Sequence, residues 1–546
     1  LENTLPITVV SILLALLPIV TLLVFLLGLE WSAPEAGAIG LFVAAGVGIF
    51  GFQMPLESVA IAGTKGAWDA IFILYVVWSA LLLYHIADRA GAFDALRLGI
   101  MRFSRNELFL VLVFGWVFVS FLQGITGFGT PVAMVVPLLI VLGVRPIFAV
   151  AAPLVGHAWG NMFGTLAVAW LATLQVVSLD ADTVTTAAFQ TALLLILPNL
   201  FAGLTVAFMH SGMRGVRYAL PMILMISLTH GTIQAALTLW NPVLANFIAV
   251  TIGFVLLYPI SRWSRYRDPL PYDDSRMMQT HNLEESDEQE TKMGLLYALL
   301  PYIILMIVAI VVLVPEPITM LLRQWQVGLP FPEVTTGYGV TRPAGDPYAP
   351  FSILTHPGTF LLISALLTGW VYQSRGYNTA RPDSNENDTI INNLLRDAIP
   401  SSLAIIAFLV LSKLMDHSGQ TEVLARGIAQ VVPPDLYASL APTLGVLGAF
   451  MTSSNTASNV LFAPVQETIA ILGGLPVATI IAAQNAGAAI GNAIAPANIV
   501  LGTGPAGILG DEGKVLRIAL PYALIATFVT GIGAWLLVMI TTGNGG

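Results

Sequence analysis

Two long apolar stretches of the chain are broken by small hydroxyl and amide residues, and most of the available chemistry sits in these breaks. The first runs Gln123-Gly124-Ile125-Thr126-Gly127-Phe128-Gly129-Thr130-Pro131, and the second Thr452-Ser453-Ser454-Asn455-Thr456-Ala457-Ser458-Asn459. Non-helical backbone at membrane depth leaves N–H and C=O groups that lipid cannot satisfy, so it survives only against protein or a watery cavity. Both tips therefore face a site. Thr130-Pro131 reads as an N-cap followed by proline at the first helical position, and Ser458 or Asn459 as the cap of the matching arm. A helix N-terminus carries roughly half a positive charge and stabilises an anion by about 0.3 to 2 kcal/mol. Two to four such ends offset much of a carboxylate's dehydration without a lysine.

The predicted ligand is thus a small organic anion. Gly127 and Gly129 let backbone approach it, and Thr126, Thr130, Ser453, Ser454 and Thr456 supply hydroxyls. Gln123, Phe128, Asn455 and Asn459 complete the tips, and Asn161, Asn485 and Asn492 come from breaks in two further apolar segments. No cofactor or metal is expected. The chain has no cysteine, its seven histidines show no ligand spacing, and it has no HExxH, GxSxG or P-loop pattern.

The elements that position these residues follow from composition. Charged residues make up 10% of 546, hydrophobic residues 56%, and mean hydropathy is +0.83, which excludes an ordinary soluble enzyme. The net charge of −9 makes nucleic acid a poor partner. Apolar runs long enough to cross about 30 Å of hydrocarbon fall at 5–29, 34–51, 68–87, 182–208, 217–240, 242–260, 293–314, 351–372, 398–415 and 516–541. Arginines cluster at 89–105, 214–217, 262–267 and 375–381, which places those loops inside by the positive-inside rule. Both termini and the proline-rich loop 316–350 then fall outside.

Residues 107–178 and 436–510 do not fit simple spans. Each reads as two short arms around a polar tip, followed by a segment broken at His157–Asn161 or Asn485–Pro496. Phe121 and Phe450 precede the two tips, and Gly160-Asn161 and Gly491-Asn492 recur in the two broken segments at almost the same offset. The charge count brings the first hairpin in from the cytoplasm and the second from outside, so the repeats are inverted. That pattern is the signature of secondary transporters. The expected fold is an all-α polytopic membrane protein: about 12 transmembrane helices plus two re-entrant helical hairpins in inverted repeats, forming a scaffold and a transport domain. Scaffold helices are assigned to 1–106, 211–260 and 293–397, transport halves to 107–210 and 398–546, and a cytoplasmic acidic linker to 261–292.

The tip residues carry a resemblance. Phe121-Leu122-Gln123-Gly124-Ile125-Thr126-Gly127-Phe128-Gly129-Thr130-Pro131-Val132-Ala133 is similar to the FLEGxxGFGxPVA stretch of the L-lactate permease family, and Leu447 to Phe462 to its LGxFxTGSDTSSNxLF stretch. The resemblance implies transport of lactate or glycolate, generally with protons. Three charges of the family pattern are missing: Gln123 replaces a glutamate, Asn455 an aspartate and Asn492 a lysine. His157 and Glu467 are the remaining coupling candidates, with Na+ at Ser454, Asn455 and Thr456 as the alternative. The resulting expectation is a proton symporter of a small 2-hydroxymonocarboxylate in the cytoplasmic membrane, embedded in lipid. A membrane-embedded enzyme and an anion channel are the readings from other classes.

Overall fold

The computed structural model of the protein describes residues 5–29, 31–101, 104–124, 129–271, 275–279, 293–377 and 389–543. Among these, eight helices are long and apolar enough to cross a membrane, or nine if the bent pair Leu300–Leu313 and Glu316–Arg323 is one span. The protein is a multi-pass helical membrane protein.

Helix starts follow local chemistry. Thr8 with Ser11 and Ser32 with Glu35 form reciprocal capping boxes at Val9–Leu23 and Ala33–Gly51. Asp180 accepts the N–H groups of Asp182 and Thr183 at the head of Ala181–Thr238, and Asn241 caps Pro242–Arg262. Each cap satisfies donors that have no partner within the helix. The two spans at 182–208 and 217–240 lie in one helical run, bent where Ser211 and Gly212 leave helical dihedrals. The span expected at 293–314 is helical over Leu300–Leu313 and then turns by 85° at Pro315.

The all-α expectation needs a correction. In the proline-rich loop 316–350, strand Gln326–Phe331 pairs antiparallel with Gly345–Ser352, and Val334–Thr335 with Thr341–Arg342. Five prolines from Pro330 to Pro350 exclude a helix there, and the Val, Thr, Tyr and Phe between them suit paired strands. The span expected at 351–372 accordingly becomes helical only at Pro357.

Part of the expected linker is built into the protein. Residues 275–279 dock on the turn after Thr130–Val141: Arg145 N donates to Met277 O at 2.8 Å, Arg276 N to His210 O at 2.8 Å, and Met277 and Met278 are buried. Residues 280–292, which hold most of its acids, lie outside the described residues. A boundary at 398 would cut the unbroken helix Ile390–Ser418, which packs along Ala33–Gly51 and Leu56–Arg89.

The interior is built from helices that touch at glycines. A Cβ on Gly156 would lie 1.9 Å from the carbonyl oxygen of Gly115. In the second half, a Cβ on Gly487 would lie 2.0 Å from the carbonyl oxygen of Pro442, and one on Gly445 2.4 Å from that of Gln484. Gly445 corresponds to Gly115, and Gly487 to Gly156, at nearly the offset in the chain that relates the polar breaks. The second broken segment, Val477–Ala506, is the most enclosed, with 94% of its most apolar window buried against 28% for the first helix of the chain. It packs against Pro434–Thr452, Ala181–Thr238, Asn455–Leu472 and Glu512–Gly543.

Candidate functional site

The first tip joins Glu107–Gln123 to Thr130–Val141, both too short to cross alone. Of the residues assigned to it, Thr126, Gly127 and Phe128 lie outside the described residues. Gln123 is buried at the end of the incoming arm, in contact with Gly164, and its Oε1 has no hydrogen-bond partner among the described residues. Thr130 is not the cap expected from the sequence. It is the first helical residue, and the N-cap is Gly129, whose backbone is left-handed at φ 79. Only glycine holds that conformation without steric cost. A Cβ there would also meet Leu501 Cδ1 at 2.4 Å and Asn498 Oδ1 at 3.0 Å.

The second tip has the same construction. The helix Pro434–Thr452 ends at Ser453, left-handed at φ 54, and Ser454 then caps Asn455–Leu472 by accepting Ala457 N at 3.2 Å. Ser458 and Asn459, expected as caps, lie one turn inside that helix. Their side chains pack inward, with Ser458 Oγ donating to Gly445 O at 2.8 Å and Asn459 Oδ1 accepting from Gln484 Nε2 at 3.3 Å. Removing the true cap with Ser454→Ala is expected to cost about 0.5 to 2 kcal/mol. A thermal unfolding midpoint unchanged from wild type in detergent would contradict that cap.

The two further breaks differ in form. Pro146–Ala158 is followed by a turn and by Gly164–Leu174, in which Thr165, Leu166 and Ala167 hold left-handed dihedrals at φ 50, 50 and 63. Such backbone costs roughly 1 to 3 kcal/mol per residue, persists only where surroundings enforce it, and clusters at functional sites. The second break is a 3-10 turn, Asn492–Ile494, between Val477–Gly491 and Pro496–Ala506.

Tips and breaks meet. Asn455 Nδ2 donates to Asn161 O at 3.2 Å and to Asn161 Oδ1 at 3.1 Å, while Asn161 Nδ2 donates to Ala489 O at 3.3 Å. Ala497 N donates to Ser453 Oγ at 3.1 Å, and Asn498 Nδ2 to Asn492 Oδ1 at 2.7 Å. The first tip touches both breaks as well, through Gln123 against Gly164 and Gly129 against Asn498. Helices therefore begin at Thr130, Asn455 and Pro496 around one point, with their positive ends toward it. Among the described hydroxyl residues of the tips, Thr130, Ser453 and Ser454 are half-buried, whereas Thr452, Thr456 and Ser458 are buried. Thr456 is buried, its N–H donating to Asn455 Oδ1 at 2.9 Å.

Two assigned residues are not at this point, and a third bonds only to its own helix. Asn485 lies about 10 Å before Asn492 along its helix and accepts from Thr173 Oγ1 at 2.9 Å. Glu467 lies about 18 Å along its helix from Asn455, with Oε1 accepting Ser178 N at 2.8 Å. His157 is buried with Nδ1 3.0 Å from the carbonyls of Pro153 and Leu154, so in the neutral ring Nδ1–H donates to them.

Sequence reading missed a charged cluster beside the proline-rich loop 316–350. Asp69, fully buried in Leu56–Arg89, pairs with Lys413 of Ile390–Ser418 at 3.1 Å. Tyr348, from the strand Gly345–Ser352, donates to the same Asp69 oxygen at 3.0 Å, and Lys413 also donates to Gln175 O at 2.7 Å. Lys65 is buried over the rings of Tyr348 and Phe331, at 5.0 and 5.8 Å, and Arg342 clamps Asp416 with contacts of 2.6 and 2.9 Å. The available signal was that Asp69 and Lys413 are the only charged residues in the apolar runs 68–87 and 398–415. Intramembrane charge marks function by default.

Comparison with known proteins supplies a family. The L-lactate permease family profile matches residues 11–541. The L-lactate permease of Halalkalibacterium halodurans is 25% identical over 551 residues, covering 97% of each chain. That of Escherichia coli (strain K12) is 25% identical, covering 96% of this chain and 95% of its own. The glycolate permease GlcA of the same strain is 26% identical, covering 98% and 96%. Among solved structures, the Alcanivorax borkumensis YdaH transporter aligns at TM-score 0.43 and 15% identity over 88% of this chain and 87% of its own. Permeases are transporters and not enzymes, and on the full-length match this chain belongs to the L-lactate permease family.

Proposed function

We propose that the protein is a secondary active transporter of a small 2-hydroxymonocarboxylate, L-lactate with glycolate or D-lactate as further substrates. It moves the anion across the cytoplasmic membrane by proton symport. The relatives' names supply the substrate class. The observation that carries the reading is the meeting of the second tip with both breaks through the Asn455–Asn161 and Ser453–Ala497 hydrogen bonds, with the first tip packed on the same breaks through Gln123 at Gly164 and Gly129 at Asn498. Converging helix N-termini hold the carboxylate, and the hydroxyls of Thr130, Ser453 and Ser454 serve the carboxylate and the 2-hydroxyl.

In this reading the arms around the tips are re-entrant hairpins of an inverted repeat, entering from opposite faces with both chain termini outside. Residues 107–210 and those after Ser418 form the moving part, and the remaining helices form the scaffold. Substrate reaches the tips alternately from each face. Proton coupling is favoured over Na+ because the side-chain oxygens of Ser454 and Asn455 already accept backbone N–H groups.

Purified protein in proteoliposomes is expected to accumulate labelled L-lactate under an inward proton gradient and not under a Na+ gradient. Absence of both accumulation and counterflow of lactate, glycolate and D-lactate would overturn the reading, and accumulation driven by Na+ alone would replace the coupling ion.

A further inference from the structure

The proposed proton coupling needs a group that binds the proton, and the tips do not offer one. Gln123 and Asn455 are amides, and Glu467 lies away from the tips with its carboxylate on Ser178 N. His157 faces the backbone carbonyls of Pro153 and Leu154 within apolar surroundings. Charging it would bury an imidazolium without a counter-ion, which is costly.

Asp69 differs in being a carboxylate with a buried, unfilled acceptor and a cationic partner. It is fully buried, one carboxylate oxygen receives both Lys413 and Tyr348, and the other, Oδ1, has no hydrogen-bond partner among the described residues. A buried acceptor left empty costs free energy unless something fills it during the working cycle. A metal cation is a poor occupant, because the ammonium groups of Lys413 and Lys65 both act on this carboxylate. A proton needs only the free lone pair. Beyond these groups, Asp416, Arg342, His417 and Glu467 act on the same cluster.

Lys413 links this carboxylate to the proposed moving part. Its ammonium donates to the carbonyl of Gln175, the C-cap of Gly164–Leu174, the second half of the first broken helix. The adjacent Ser412 donates to Val460 O at 2.7 Å. Val460 lies about 7.5 Å along its helix from Asn455 at the second tip. The pair therefore ties the two long N-terminal and central helices to both transport halves.

Resting on the transporter reading, we infer that Asp69 carries the coupling proton on Oδ1, and that the Lys413 charge this leaves uncompensated balances, through space, the carboxylate of the substrate held at the tips. The charges balance. The Asp69–Lys413 pair is neutral before uptake. Afterwards a neutral carboxylic acid stands beside Lys413, whose positive charge offsets the monoanion held at the tips. One proton and one anion enter together, and neither charge is left alone in a low-dielectric interior.

The test uses the full chain in proteoliposomes. Asp69→Asn imitates the protonated form. It is expected to retain measurable counterflow of labelled L-lactate while pH-driven accumulation falls at least tenfold. Tyr348→Phe keeps the pair but removes a donor that favours the ionised carboxylate. It is expected to move the pH of half-maximal proton-driven uptake upward. Counterflow in wild type together with undiminished accumulation by Asp69→Asn would overturn the assignment, as would an unmoved midpoint in Tyr348→Phe if Asp69→Asn fails to fold. Wild type lacking counterflow would instead overturn the transporter reading, and this inference with it.

Discussion

Asn455→Asp is expected to lower L-lactate uptake at pH 7.5 by at least tenfold, with partial recovery at pH 5.5. The substitution restores a residue type of the family pattern, yet the surroundings here suit an amide. Asn455 Nδ2 donates to both the backbone oxygen and Oδ1 of Asn161, and Asn161 is held in that orientation by its own bond to Ala489 O. An ionised aspartate would set a charged acceptor against two acceptors in a buried site. Lost bonds and unpaired buried oxygens of this kind cost about 1 to 3 kcal/mol each, more when charged. Tenfold, about 1.4 kcal/mol, is therefore a lower bound. Acid restores a donor by protonating the carboxyl, which sets the sign of the pH effect. Equal uptake by variant and wild type across this range would remove Asn455 from the site.

The other large effect concerns the fold. Gly156→Ala and Gly487→Ala each place a methyl against a backbone carbonyl oxygen, at 1.9 and 2.0 Å. No rotamer change relieves a clash with backbone, so the helices must separate, and overpacking costs about 1 to 3 kcal/mol or more. Both variants are expected to lose most of their monodisperse protein in detergent. Gly253→Ala is the comparison, since a Cβ there meets nothing within 4 Å and alanine favours a helix interior. Size-exclusion profiles in which all three match wild type would contradict the close helix approach. A loss for Gly156→Ala alone would mean the second half tolerates a separation that the first does not.

The polar tips were legible because a break in an apolar run is local: Gln123 to Pro131 and Thr452 to Asn459 cannot continue a lipid-facing helix whatever packs around them. The caps were misplaced by a few positions for the opposite reason. Gly129 rather than Thr130 starts its helix where the left-handed turn lies against Leu501 and Asn498, which come from the other half of the chain. Ser454 preceded Ser458 as a cap because Ser453 turns where Ala497 donates to it. No strand was assigned in the proline-rich loop 316–350 because short strands rich in proline carry little periodicity. Their pairing depends on Gln326 finding Ser352.

Local composition is enough to put this chain in lipid, to locate most of its helices and to mark two segments that cannot stay helical throughout. Run length, charge scarcity and backbone satisfaction are properties of neighbouring residues. Only the tertiary structure decided which polar groups meet. Asn161 reaches Asn455, and Asp69 reaches Lys413, from opposite halves of the chain, and each charge or amide alone reads as an isolated exception in an apolar run. Their energies belong to pairs, because a buried polar group is costly until its partner arrives. That partner is supplied by packing and not by sequence spacing.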